Sequence, residues 1–88
     1  MKLIVAILRD EDSEPVSQAL ISEGFRVTRI ASTGGFLRRG STTMMIGVEA
    51  GKVDEAIEIV RENCALTVEP GLKRATLFVL DVDRFTQL

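Results

Sequence analysis

Residues 25–48 read FRVTRIASTGGFLRRGSTTMMIGV, and they decide the topology of the chain. β-branched alternation from Phe25 to Ser32 predicts one strand, and the run from Thr42 to Val48 predicts a second. The segment between them is longer than a hairpin turn requires. It contains two adjacent glycines, a Phe-Leu pair and two arginines. We therefore predict that this segment, the glycine loop of residues 33–42, holds a ligand.

The residues before this stretch predict a strand and a helix. Lys2 to Leu8 is a continuous apolar run, which is typical of a strand buried on both faces. In the following RDEDSEP, we expect Asp12 or Ser13 to cap the helix and Pro15 to lie in its first turn. Gly24 is the expected carboxyl-terminal cap.

The residues after it predict a second helix and a fourth strand. The helix follows the AGK turn and has inward-facing apolar positions and an outer row of acidic residues. The last strand is Ala75 to Val82, after a short connection. The order βαββαβ, in one domain spanning residues 1–88, predicts an α+β, ferredoxin-like fold. Its four-stranded antiparallel sheet has two helices on one face.

Both faces of the predicted sheet are apolar. In the first strand Leu3, Val5 and Ile7 are apolar, and so are the residues that alternate with them. Phe78 and Leu80 in the last strand extend this second apolar face. Because two helices cover only one face, something else must bury the other. We predict a homo-oligomer in which copies of the chain bring these faces together.

The charge of the chain is unevenly distributed. The net charge is −2, yet residues 24–48 carry four arginines and no acidic residue, so this part is +4 and the rest is −6. Such a split is unsuited to general nucleic-acid binding but favours one local anion site. RNA binding through the sheet is also disfavoured, because the central strands lack aromatic residues for stacking.

Several classes of protein are disfavoured by composition. There is no histidine, and the single Cys64 is expected to be a small buried residue at a helix end, so we predict no metal site and no cofactor. No apolar run approaches the length of a membrane span. Charges follow the first apolar run at once, which predicts a strand rather than a signal peptide, and we expect a cytoplasmic protein.

The glycine loop has the groups that a nucleotide site needs. Adjacent glycines allow backbone amides to converge on an anion, and nearby hydroxyls and arginines can donate to phosphate. Phe36 and Leu37 can pack against a base. A flexible structural loop remains the alternative, since the motif is neither a Walker loop nor a Rossmann fingerprint.

The sequence resembles the PII-like cyclic di-AMP receptor family. The resemblance rests on an amino-terminal strand followed by DEDS, then FRVT, the TGGFLRRGSTT block, GV and VDEAI, and it resumes at ATLFVLDVDRF. It implies a non-enzymatic signalling protein: a homotrimer that binds cyclic di-AMP between subunits and acts on an unknown downstream protein.

The resemblance also implies the ligand-binding residues. Gly34, Gly35, Phe36 and Leu37 of the glycine loop are expected around an adenine and near the phosphates. Polar contacts are expected from the second strand and the chain end, and Gly47 is expected to allow close approach of the ligand. The remaining predicted contacts are Arg26, Thr28, Ser41 and Gln87.

Two departures from the family pattern bear on function. Ser41 replaces the usual asparagine and offers one hydroxyl in place of an amide, a change that costs roughly ten-fold in affinity if uncompensated. The connection over residues 63–74 is much shorter than in the family. An interaction trimer that binds another nucleotide, or none, is therefore the alternative function.

An acylphosphatase-like enzyme is the third reading of the sequence. Such enzymes hold phosphate in the loop between the first strand and first helix. Here that position has the acidic stretch from Arg9 to Glu14, whose carboxylates would repel phosphate.

Overall fold

The computed structural model describes residues 1–30, 40–65 and 75–88. Four strands form one sheet in the order β2-β3-β1-β4, and every neighbouring pair is antiparallel. This order, with both helices packed on one face, confirms the α+β, ferredoxin-like βαββαβ arrangement. The elements are β1 (Lys2–Arg9), α1 (Asp10–Ser22), β2 (Arg26–Ile30), β3 (Ser41–Val48), a 3₁₀ turn (Ala50–Lys52), α2 (Val53–Asn63) and β4 (Ala75–Asp81).

The core lies between the helices and one face of the sheet. Alternate residues of β1 and β3 are buried there, and residues of both helices close over them. Cys64 is buried at the end of α2, as expected. The predicted outer row of α2 is exposed: Asp54, Glu55, Glu58 and Glu62. The largest fully buried side chains are Ile4, Leu20, Met44, Ile46, Val16 and Val60.

The predicted start of α1 is wrong. The helix begins at Asp10, directly after β1, and neither Asp12 nor Ser13 caps it. The first helical amide is satisfied by the sheet instead, because Asp10 N–H donates to the carbonyl of Gly40 at 2.7 Å. Pro15 consequently lies inside the helix rather than in its first turn. Its missing N–H leaves the carbonyl four residues earlier without the usual helical donor.

The buried side chain of Asp12 instead links α1 to the chain directly after α2. Its side chain is 3% exposed and lies 2.9 Å from Nη2 of Arg9. Its other carboxylate oxygen accepts from the backbone N–H of Ala65 at 3.1 Å, and Arg9 also donates to the carbonyl of Ala65. The charge is therefore paired and hydrogen-bonded, which is the condition for burying a carboxylate without a large penalty.

The end of α1 follows the prediction for Gly24. This glycine has φ of +89°, in the region that side chains disfavour. Its N–H donates to Ile21, and the N–H of Phe25 donates to Leu20, which together make a Schellman motif. The motif turns the chain directly into β2, which begins at Arg26.

The strand limits differ slightly from those predicted. β1 extends one residue further and β3 begins one residue earlier, because Arg9 pairs with Ser41. β2 begins at Arg26 and is described to Ile30, since residues 31 and 32 lie outside the described part of the chain. β4 ends at Asp81, and the N–H of Val82 donates to the carbonyl of Met1.

An ion pair fastens β2 to α1. Nη1 of Arg29 lies 2.7 Å from Oε2 of Glu14, whose other oxygen accepts from Gln18 at 2.7 Å. The Gln18 amide and then the Arg29 guanidinium hold the pKa of Glu14 below its ordinary value. The positive charge of Arg29 is therefore engaged with the helix and not with the predicted anion site.

The Glu14–Arg29 pair stabilises the fold at neutral pH, and this stabilisation is lost in acid. Because the pKa of Glu14 is lowered by folding, the contribution of the pair to stability is complete above the ordinary pKa of 4.5 and disappears as the pH falls through the folded pKa. We expect Glu14→Gln to lower the melting temperature slightly at pH 7 and to leave it unchanged at pH 2, measured by thermal circular dichroism. An equal decrease at both pH values would contradict this expectation.

The sheet face opposite the helices is open in the single chain. Pairing places Phe78 beside Val5 and Leu80 beside Leu3, with Met45 on the other side of Val5. Phe78 and Leu80 are 52% and 48% exposed. We call this surface the open face; its apolar members are Leu3, Val5, Ile7, Met45, Phe78 and Leu80. The second apolar surface predicted from sequence is thus present, and the described residues of one chain leave it uncovered.

No helix in the described part of the chain is long and apolar enough to span a membrane. The same residues contain no cluster of acidic and cysteine side chains suited to a metal ion.

Candidate functional site

An open pocket lies at one end of the sheet, where β2 begins and β3 ends. Its volume is ≈ 430 Å³, within the range of about 300–1,000 Å³ typical of small-molecule sites. Three predicted ligand contacts line it: Arg26, Gly47 and Gln87. The other lining residues are Met1, Glu23, Gly24, Phe25, Val48, Glu49, Lys52 and Phe85.

Strand pairing brings Arg26 and Gly47 together. They are directly opposite each other in the β2–β3 ladder, and Leu3 of β1 is opposite Gly47 on its other side. Residues opposite each other in a ladder share a face. Arg26 and Gly47 therefore lie at the edge of the open face, where the pocket begins.

Gly47 has a neighbour that sequence reasoning missed. A Cβ at this position would lie 3.1 Å from the terminal methyl of Met1. The Met1 side chain thus occupies the space above the glycine in this structure. It is the far end of a flexible side chain, so a ligand that approaches Gly47 closely needs only a rotation of Met1 to reach the backbone.

The last residues of the chain complete the pocket. After β4 the chain is held to Met1 by the backbone bond from Val82. Because β4 pairs with β1 on the far side of the sheet from β2, the tail must cross the sheet end for Phe85 and Gln87 to line the pocket. Phe85 is 57% exposed there and offers an apolar surface next to the polar Gln87.

Thr28 and Ser41 do not line this pocket. Thr28 is exposed on the same face as Arg26, two residues along β2. Ser41 begins β3 and pairs with Arg9, whereas Gly47 lies six residues further along the strand. At a rise of about 3.3 Å per residue, Ser41 and Gly47 are separated by roughly 20 Å.

The glycine loop leaves the sheet at the end opposite the pocket. β2 runs from Arg26, which lines the pocket, to Ile30, and β3 returns from Ser41. The predicted contacts Gly34, Gly35, Phe36 and Leu37 lie outside the described residues. Among the described residues, Ser41 therefore lies at one end of the β2–β3 pair, and Arg26, Gly47 and Gln87 line the pocket at the other.

The β1–α1 junction has no phosphate loop. Arg9 ends the strand and Asp10 begins the helix, with no residue between them. The side chains of Asp10 and Asp12 face internal partners, since Thr42 donates to Asp10 and Ala65 donates to Asp12. This geometry removes the loop on which the acylphosphatase reading depended.

A comparison with protein families identifies the chain. A model of the cyclic-di-AMP receptor family matches residues 1–70. The chain belongs to the cyclic-di-AMP receptor family. The suspected family resemblance is thereby confirmed over the part that contains the glycine loop and both strands of the β2–β3 pair.

A solved structure has the same fold. It is a functionally unknown protein from Pediococcus pentosaceus ATCC 25745, with 36% sequence identity and a TM-score of 0.80. The match covers 99% of this chain and 96% of that chain. The short connection between α2 and β4 therefore does not prevent the two chains from matching over nearly their whole lengths.

Proposed function

We propose that this protein is a non-enzymatic signal receptor that binds cyclic di-AMP between the subunits of a PII-like homotrimer. Family membership is the observation that carries the choice of ligand. The pocket supports it, because Arg26, Gly47 and Gln87 converge there from three separate parts of the chain. Arg26 can donate to a phosphate, and Gln87 can both donate and accept.

The division of the predicted site supports a location between subunits. Ile30, Gly40 and Ser41, the described residues on either side of residues 31–39, lie at one end of the β2–β3 pair, and the pocket lies at the other, roughly 20 Å away. One ligand contacts both sets most simply if the loop comes from one subunit and the pocket from its neighbour. The open face supplies the apolar surface for such an assembly.

The receptor acts through a downstream partner protein. Ligand can change affinity for that partner only by binding two conformations of the receptor with different affinity. The cytoplasm, where cyclic dinucleotides act as signals, is the proposed location.

Calorimetric titration tests the choice of ligand. We expect cyclic di-AMP to saturate near one molecule per subunit, and cyclic di-GMP and ATP to bind at least roughly ten-fold more weakly. Phe36→Ala is expected to weaken binding by about ten-fold or more, since stacking on an aromatic ring contributes about 1–3 kcal/mol per base. Equal binding of all three nucleotides, or none with cyclic di-AMP, would contradict the proposal.

Mixed trimers test the location of the site. Arg26→Gln and Phe36→Ala each impair every site of a uniform trimer. If Arg26 and Phe36 of one site come from different subunits, co-expressed and doubly tagged mixtures contain sites with both wild-type residues. We expect such mixtures to recover high-affinity sites in a fraction of subunits. No recovery would place both residues in one subunit and overturn the intersubunit arrangement.

A further inference from the structure

We infer that Lys52 is a second cationic contact of the pocket and binds a phosphate of the cyclic dinucleotide together with Arg26. This inference rests on the proposed function and adds a residue from the β3–α2 connection to the site. Lys52 was not predicted as a ligand contact from the sequence.

The ion pairs of the described residues single out Lys52. Most lysines and arginines in ranges 1–30, 40–65 and 75–88 have acidic partners: Lys2, Arg9, Arg29 and Arg61. Within these ranges the lysine and arginine side chains without an ion pair are Arg26, Lys52 and Arg84. Two of these three, Arg26 and Lys52, line the same pocket. Two uncommitted cations at one concave site match a ligand with two phosphates.

The local backbone explains why Lys52 reaches the pocket. β3 ends at Val48, and a 3₁₀ turn over Ala50–Lys52 reverses the chain directly afterwards. The N–H of Lys52 donates to the carbonyl of Glu49 at 2.9 Å and closes this turn. The backbone of Lys52 is therefore fixed close to the end of β3. Its exposed ammonium group has three donors and forms no ion pair with the described residues.

Two carboxylates in the pocket lining increase the expected contribution of the Lys52 charge to anion binding. Glu23 and Glu49 also line the pocket, so the formal charges of its four ionic side chains cancel. Neither glutamate forms an ion pair among the described residues. Removal of Lys52 leaves one cationic side chain, Arg26, beside two carboxylates in the pocket lining, which weakens the attraction for a dianion. The loss of Lys52 thus removes a phosphate contact and weakens this attraction.

Three variants test this role by calorimetric titration with cyclic di-AMP at low and high salt. Lys52→Gln is expected to weaken binding roughly ten-fold, because a hydrogen bond to a charged group contributes about 1.5–3 kcal/mol. Its affinity should also depend less on salt than that of the wild type, since a screened attraction is gone. Lys52→Arg should keep most of the affinity. Arg84→Gln is the matched control: it removes an equal charge outside the pocket lining and should change affinity by less than about two-fold.

The outcomes separate this inference from the proposed function. Tight binding by the wild type with equal affinities of Lys52→Gln and Arg84→Gln would overturn the role of Lys52 alone. A loss of affinity in Lys52→Gln with no change in salt dependence would assign Lys52 a structural role and would also overturn its role as a phosphate contact. No saturable binding by the wild type would overturn the proposed function together with this inference.

Discussion

Phe78→Glu is expected to convert the proposed trimer to monomers and to weaken cyclic di-AMP binding by at least about 100-fold. Phe78 lies beside Val5 on the open face and is 52% exposed in the single chain. A glutamate can therefore be accommodated in the monomer, where it remains in water. In an assembly that buries the open face, its charge loses water without gaining a partner, which costs several kcal/mol.

The measurement is solution mass by light scattering, with circular dichroism to show that the variant is folded. Ile21→Glu is the matched control. Ile21 is 57% exposed on α1, and this substitution also replaces an apolar side chain with a carboxylate. It should leave both mass and binding unchanged. A trimeric Phe78→Glu variant with wild-type affinity would show that the open face is not the subunit interface.

Asp12→Ala is expected to lower the free energy of unfolding by about 3 kcal/mol. The substitution removes the carboxylate that pairs with the partly buried guanidinium of Arg9 and that accepts from the N–H of Ala65, and Arg9 keeps its hydrogen bond to the carbonyl of Ala65. Breaking a buried charge pair by removing one partner costs about 3–5 kcal/mol, and the partial exposure of Arg9 places this case at the lower end. For a chain of this size the melting temperature should decrease by roughly 10–20 °C.

Thermal unfolding at fixed protein concentration measures this effect, because assembly makes the melting temperature concentration-dependent. The matched control is Glu11→Ala. Glu11 is 71% exposed and 3.9 Å from Arg9, so the loss of its carboxylate should change the melting temperature by no more than a few degrees. If Glu11→Ala lowers the melting temperature as much as Asp12→Ala does, then general charge balance, and not the buried carboxylate of Asp12, stabilises this junction.

The fold could be predicted from the sequence because its strands and helices have clear local patterns. The continuous apolar run of the first strand, the β-branched alternation of the second, the apolar stripes of the helices and Gly24 each indicate the correct element. The start of α1 could not be predicted in this way. Its first amide is satisfied by Gly40, more than 20 residues away in sequence, and not by a local side-chain cap.

The pocket could be predicted only in part. Family resemblance indicated Arg26, Gly47 and Gln87, and strand pairing with the crossing of the chain end explains how they meet. Lys52 and Phe85 were missed because their positions depend on a turn and on a tail that no periodic pattern specifies. The same limit applies to Arg29, whose charge counted toward the anion site in the sequence but pairs with Glu14 in the fold.

The central claim is that cyclic di-AMP binds between subunits of a trimer, and native mass spectrometry tests it most directly. One spectrum at saturating cyclic di-AMP reports both the number of subunits and the number of bound ligands. We predict a trimer with three ligands, and loss of both trimer and ligand in Phe78→Glu. A monomer that binds cyclic di-AMP, or a stable trimer that binds none, would contradict the account.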